Sequence, residues 1–95
     1  ELHLSMNEDL SDISALASLE ELTTLSLNGT AVTDLSALEN LTNLTVLDLE
    51  GCNIRDITPL LGLKNLRTLY AAGCGLSQQE IDELGDALPN CTIYT

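Results

Sequence analysis

One spacing governs this chain: apolar residues return every 22 positions. Leucine recurs at Leu22, Leu44, Leu66 and Leu88. A second column runs through Leu25, Leu47, Leu69 and Cys91, a third through Leu27, Leu49, Ala71 and Ile93, and a fourth through Val32, Ile54 and Leu76. A fixed period of this length marks stacked supersecondary units, each too small to bury its own apolar face and each closed by its neighbours. Leucine supplies 22 of the 95 residues, and there is no Phe or Trp. One cavity shape is therefore filled repeatedly, rather than a mixed core once. At this length the chain is a single domain.

Within a unit, Leu22-Thr23-Thr24-Leu25-Ser26-Leu27 alternates like a strand, with Leu25 and Leu27 inward and Thr24, Ser26 and Asn28 outward. Gly29, Gly51 and Gly73 follow at the full period, where the backbone must turn through a positive φ or a close approach. The next slot holds Thr30, Cys52 and Cys74, small side chains able to point inward and bond loop backbone groups. Then Asp12-Ile-Ser-Ala-Leu16, Asp34-Leu-Ser-Ala-Leu38 and Asp56-Ile-Thr-Pro-Leu60 predict short helical turns, each Asp accepting from free N–H groups at the start. Pro59 suits an early helical position. The Asp column admits a metal reading, but each Asp opens the same small turn, so capping accounts for it better.

The two ends break the pattern. Leu2 and Leu4 fit strand slots, but one extra residue lies within Ser5–Asp9 before register returns at Leu10. Near the other end, Ser77-Gln78-Gln79-Glu80 forms a capping box. Ile81, Leu84, Ala87 and Leu88 follow at helical spacing, which predicts an α-helix over 78–87 that Pro89 ends. Cys91 and Ile93 are then expected in strand slots, making a closing cap. The units read as an irregular first coil (1–21), full repeats at 22–43, 44–65 and 66–87, and a closing strand at 88–95. The chain begins inside a repeat, as a piece of a longer array would.

Net charge is −12. Residues 1–50 hold ten acids and no Lys or Arg, whereas residues 51–95 hold five acids with Arg55, Lys64 and Arg67. Without a basic footprint, nucleic acid is not an expected partner, and anionic membrane surfaces should repel the chain. There is no long apolar run for membrane insertion. The acidic surface serves solubility and would favour a cationic partner. The three cysteines, Cys52, Cys74 and Cys91, form no CxxC pair. Equivalent slots in neighbouring coils give parallel Cβ vectors, which suit a disulfide poorly, so free thiols are expected.

The run Leu44-Thr-Val-Leu47-Asp-Leu49-Glu-Gly-Cys52-Asn-Ile54-Arg-Asp-Ile57-Thr-Pro-Leu60-Leu-Gly-Leu63 resembles the 22-residue leucine-rich repeat of bacterial internalins. The same repeat class includes phosphatase-regulating proteins of eukaryotes. The resemblance implies an α/β, right-handed leucine-rich repeat solenoid of about four coils plus a final strand. A parallel sheet would line its concave face and short helical turns its convex one. Such repeats commonly carry Asn where this chain has Thr30, Cys52 and Cys74. The ending Leu88-Pro-Asn-Cys-Thr-Ile-Tyr94 resembles leucine-rich domains of large secreted or surface proteins of Gram-positive bacteria. The resemblance therefore favours an extracellular or cell-surface location, while the unpaired cysteines favour a reducing interior.

The resemblance also implies protein binding through the concave sheet. The outward positions are His3; Thr24, Ser26 and Asn28; Val46, Asp48 and Glu50; Thr68, Tyr70 and Ala72; and Thr92 and Tyr94. Tyr70 is the leading contact residue, since tyrosine is enriched at binding hot spots. Five strands at ~4.8 Å spacing give a face roughly 20 Å long, small against the ~800 Å² each partner usually contributes. The alternatives are a structural spacer in a larger surface protein and an intracellular regulatory subunit. Self-association through the uncapped N-terminal end, at Leu2, Leu4, Leu10 and Leu16, is also expected. Neither catalysis nor a cofactor is expected: one His lies near the terminus, no nucleophile has a base beside it, and the carboxylates Asp48 and Glu50 lie on an open face. The same pair makes at most a poor calcium site.

Overall fold

Strand pairing shows how the repeats stack. The computed structural model describes all 95 residues. Five short strands, β1 (Leu2–His3), β2 (Thr24–Ser26), β3 (Val46–Asp48), β4 (Thr68–Tyr70) and β5 (Thr92–Tyr94), form one parallel sheet in chain order. Leu25, Leu47 and Leu69 pair in register, and all three are fully buried. The backbone ladder continues past the strands: the Leu27 amide donates to the Asp48 carbonyl at 2.8 Å, Leu49 to Tyr70 at 2.8 Å and Ala71 to Tyr94 at 2.7 Å. Each coil thus satisfies the polar groups of the one before it, as a buried backbone must.

Opposite the sheet, the chain returns through 3₁₀ turns at Ser14–Ser18, Ser36–Leu38 and Thr58–Leu60. Their tighter winding gains ~2.0 Å per residue, so three to five residues of helical turn serve each return. Asp12, Asp34 and Asp56 accept the amides of Ser14, Ser36 and Thr58, each at 2.9 Å. The capping role holds, one position ahead of the helix boundary. The α-helix α1 spans Gln78–Ala87 and opens with both halves of the Ser77/Glu80 capping box. Lys64 Nζ donates to the Ala87 carbonyl at its far end, at 2.7 Å.

Gly29, Gly51 and Gly73 all have φ near +70°. In the first coil this slot holds Met6, at φ 64°. Its amide bonds the Asn28 carbonyl, and its side chain lies against Gly29. The extra residue of that coil therefore falls after Met6. At the same end Leu2, Leu4 and Leu10 are half-buried and Leu19 is exposed. No helix is long and apolar enough to cross a membrane.

The closing coil departs from the sequence expectation. Thr68 pairs with Thr92 and Leu69 with Ile93, 24 residues on. Ile93, not Cys91, occupies the Leu69 slot, and Ile93 is not the successor of Ala71. The cause is the change of helix: at ~1.5 Å per residue an α-helix spends more chain than a 3₁₀ turn over the same span.

Two expected outcomes follow. A non-glycine residue held in the left-handed region costs roughly 1–3 kcal/mol, and glycine returns part of this as extra unfolded-state freedom. Met6→Gly should therefore raise stability by about 0.5–1 kcal/mol, read as a rise of a few degrees in a thermal melt; a fall would show that the Met6 contacts outweigh its backbone. Separately, the bonds from Ser14 and Ser36, backbone amide first and hydroxyl second, hold the Asp12 and Asp34 carboxyls below the usual range. The Thr58 hydroxyl and then its amide do so for Asp56. A carboxyl with a lowered folded-state pKa contributes stability above its unfolded value, near 3.8, and loses it as pH falls through the folded value. Melting temperature should thus fall below about pH 4. The fall should be shallower when all three are replaced by Asn, and superimposable acid limbs would refute the assignment.

Candidate functional site

The outward side chains form rows, because strands in register place equivalent residues side by side. The central row crosses all five strands: His3, Ser26, Asp48, Tyr70 and Tyr94. A second row holds Thr24, Val46, Thr68 and Thr92. Asn28, Glu50 and Ala72 follow just beyond the strands, tied across coils by Gly29 donating to the Glu50 carbonyl and Gly51 to that of Ala72.

The rows differ in accessibility. Ser26, expected on the open face, is buried at 7% exposure. The first coil covers it, and its hydroxyl lies 2.6 Å from that of Ser5, which holds the slot of Asn28 one coil earlier and reaches across as Asn28 does to Asp48. His3 pairs with Glu1 at 3.2 Å, well exposed at the far end of the row. Asn28 donates to Asp48 Oδ2 at 3.4 Å, and the Glu50 amide to Asp48 Oδ1 at 3.0 Å. Val46, Glu50 and Thr68 are half-buried, and Thr92 and Tyr94 are exposed.

At the C-terminal end of the row, Tyr70 and Tyr94 stack with ring centroids 5.1 Å apart and planes 15° from parallel. Sequence reasoning placed both tyrosines on this face but not in contact, since a strict 22-residue period sets Thr92 beside Tyr70. A usable signal lies in the returning segments Leu41-Thr-Asn43, Leu63-Lys-Asn65 and Leu88-Pro-Asn90. Their spacing lengthens at the last step, which marks the longer coil. The first two Asn side chains donate across coils, Asn43 to the Glu20 carbonyl and Asn65 to that of Thr42, both at 2.9 Å.

Comparison with known proteins agrees with this geometry. The sequence profile described as Leucine Rich repeats (2 copies) matches residues 20–62 and 42–90. The chain therefore belongs to the leucine-rich repeat family, and its solenoid is similar to those of bacterial internalins and related repeat proteins. An internalin of Listeria monocytogenes (inlF) is 27% identical, with a TM-score of 0.76 over 99% of this chain and 27% of that one. A leucine-rich repeat protein of Leptospira interrogans is 27% identical, with a TM-score of 0.87 over 99% of this chain and 24% of that one. Internalin C2 of L. monocytogenes is also 27% identical, with a TM-score of 0.61 over 90% of this chain and 48% of that one. The chain spans less than half the length of each. No curated protein matches it.

The slot that commonly holds Asn in such repeats is filled here by Thr30, Cys52 and Cys74, all buried. Each does the bonding work with a hydroxyl or thiol. Thr30 Oγ1 donates to the Leu27 carbonyl at 2.9 Å, Cys52 Sγ to the same carbonyl at 3.0 Å, and Cys74 Sγ to the Leu49 carbonyl at 2.9 Å. All three cysteines are free. Burial, then the neighbouring Cys52, pushes the Cys74 thiol up to about 11, and burial also raises Cys91. Thiolate is the reactive species. Native protein at pH 8 should therefore yield at most one thiol, the half-exposed Cys91, to a water-soluble disulfide reagent, and three after unfolding in guanidinium chloride. Rapid modification of Cys74 in the folded state would contradict this placement.

Proposed function

We propose that this domain binds a partner protein on its concave sheet, with Tyr70 and Tyr94 as the anchor. The leucine-rich repeat is a fold typically used for protein–protein interaction, and the aromatic stack on the open face carries the reading. Offset aromatic pairs gain about 0.5–1.5 kcal/mol beyond area burial. The rings therefore hold each other, and less side-chain freedom remains to be lost when a partner lands. Thr92 and Thr68 lie alongside as a polar border, and Asp48 is next in the row.

The domain reads as non-enzymatic. Asp48 is engaged by Asn28 and the Glu50 amide, while His3 lies at the opposite end of the row with Glu1. The spacer alternative has one observation in its favour, the monotonous row of Thr24, Thr68 and Thr92. The stacked tyrosines outweigh it, since a spacer gains nothing from aromatic area in water. Head-to-head self-association through the apolar N-terminal end meets an obstacle, because Glu1, Glu20 and Glu21 border that end beside Leu2 and Leu19. Two copies meeting there would bring like charges together.

Photo-crosslinking tests the binding reading. A benzophenone side chain at Thr68 should trap a partner protein, and the same group at Ser36 on the convex turn should not. Adding Tyr70→Ala and Tyr94→Ala should cut the Thr68 yield at least about tenfold, the scale of a lost hot spot, with the melting temperature little changed. Equal yields with and without the tyrosines, or trapping only from Ser36, would overturn it.

A further inference from the structure

We infer that the partner presents a basic protein segment whose arginine enters between Tyr70 and Asp48. This deepens the concave-face reading and rests on it.

The geometry of the central row carries the argument. Tyr94 covers one face of the Tyr70 ring across the β4–β5 step. With the planes only 15° from parallel, the other face of Tyr70 is turned toward β3, whose paired residue is Asp48. Adjacent strands are ~4.8 Å apart, so a group seated against that ring face also meets the carboxylate. A guanidinium is the side chain with both complements: a flat, weakly hydrated cation that lies on an aromatic face and donates through a rigid fork. Each Asp48 oxygen already accepts one hydrogen bond. A carboxylate offers about four acceptor sites, so one remains on each oxygen, the arrangement that bidentate arginine uses.

Charge on the face points the same way. The outward strand positions carry Asp48 and Glu50 and neither Lys nor Arg. Two of the cations lie off this face. Lys64 bonds the end of α1, and Arg67 lines the rim groove with Glu21, Asn43 and Asn65. The Glu50 side chain is half-buried beside the row and forms no ion pair. A net charge of −12 steers a basic segment toward this surface from a distance, and the tyrosine–carboxylate notch then selects among basic segments.

Selection from a random-peptide display library on the immobilised domain tests this. Peptides should be enriched in arginine, and a synthetic arginine-containing representative should shift the Tyr70 ring resonances in NMR titration. Tyr70→Ala should weaken that peptide at least about tenfold, while Tyr70→Phe, which keeps the ring, should leave it nearly unchanged. Asp48→Asn, which preserves the acceptor for the Glu50 amide, should weaken it several-fold and flatten its salt dependence. Neutral or acidic peptides that depend on Tyr70 would overturn the basic partner and leave concave-face binding standing. Basic peptides binding wild type and Tyr70→Ala alike would reduce the effect to diffuse charge and overturn the notch. Absence of any Tyr70-dependent peptide would overturn both readings.

Discussion

The structure depends on cross-coil stacking of leucines at the inward strand slots. Leu25, Leu47 and Leu69 lie in register with no exposed surface. Burying one such side chain is worth about 1.5–3 kcal/mol, and it is repeated at each rung. Because the pleat alternates, fixing one slot inward forces its neighbours outward. A slip of one residue would drive Thr68 and Tyr70 into the core and put Leu69 in water. The composition of the outward face is thus a by-product of packing: Tyr70 is displayed because Leu69 beside it is not.

The same mechanism decides how much of the molecule could be read from its sequence. The columns through Leu76, the outward positions of β2 to β4, the asparate-opened turns and the capped helix were all legible, because each is a local pattern repeated or a known cap. The extra residue in the first coil was legible as a count. Its place, after Met6, was not. Ser26 occupies an outward slot, yet Ser5 closes over it from the slot equivalent to Asn28, and the period tells which slots face outward but not which of them a neighbouring coil covers. The closing coil was misread for a related reason. A 22-residue period assumes the same return path each time, and α1 replaces a 3₁₀ turn of three residues with ten residues of α-helix.

The inward Thr/Cys/Cys column shows how far a slot constrains chemistry. Loop carbonyls of Leu27 and Leu49 face the interior and need donors. One hydroxyl and two thiols supply them, and no buried side-chain polar atom is left without a partner. A thiol is a weak donor but a good small hydrophobe, which suits a slot flanked by leucines. The inward slots and the outward face are largely decoupled here, since this column faces away from the rows that carry Asp48 and Tyr70.

Coupling between the two sides enters at one point, the length of the last coil. Under the regular period Thr92 would stand beside Tyr70. With two further residues taken up on the convex side, Tyr94 takes that place and the rings stack. The aromatic pair is therefore produced by a change of helix on the opposite face of the coil, carried through the backbone as register rather than through any chain of side-chain contacts. Lys64 secures this arrangement where it bonds the end of α1. Shortening α1 by two residues would remove the stack without altering a single residue of the sheet. In a solenoid, the length of the convex return is therefore a determinant of concave-face composition, and residues far from a binding surface can decide what that surface displays.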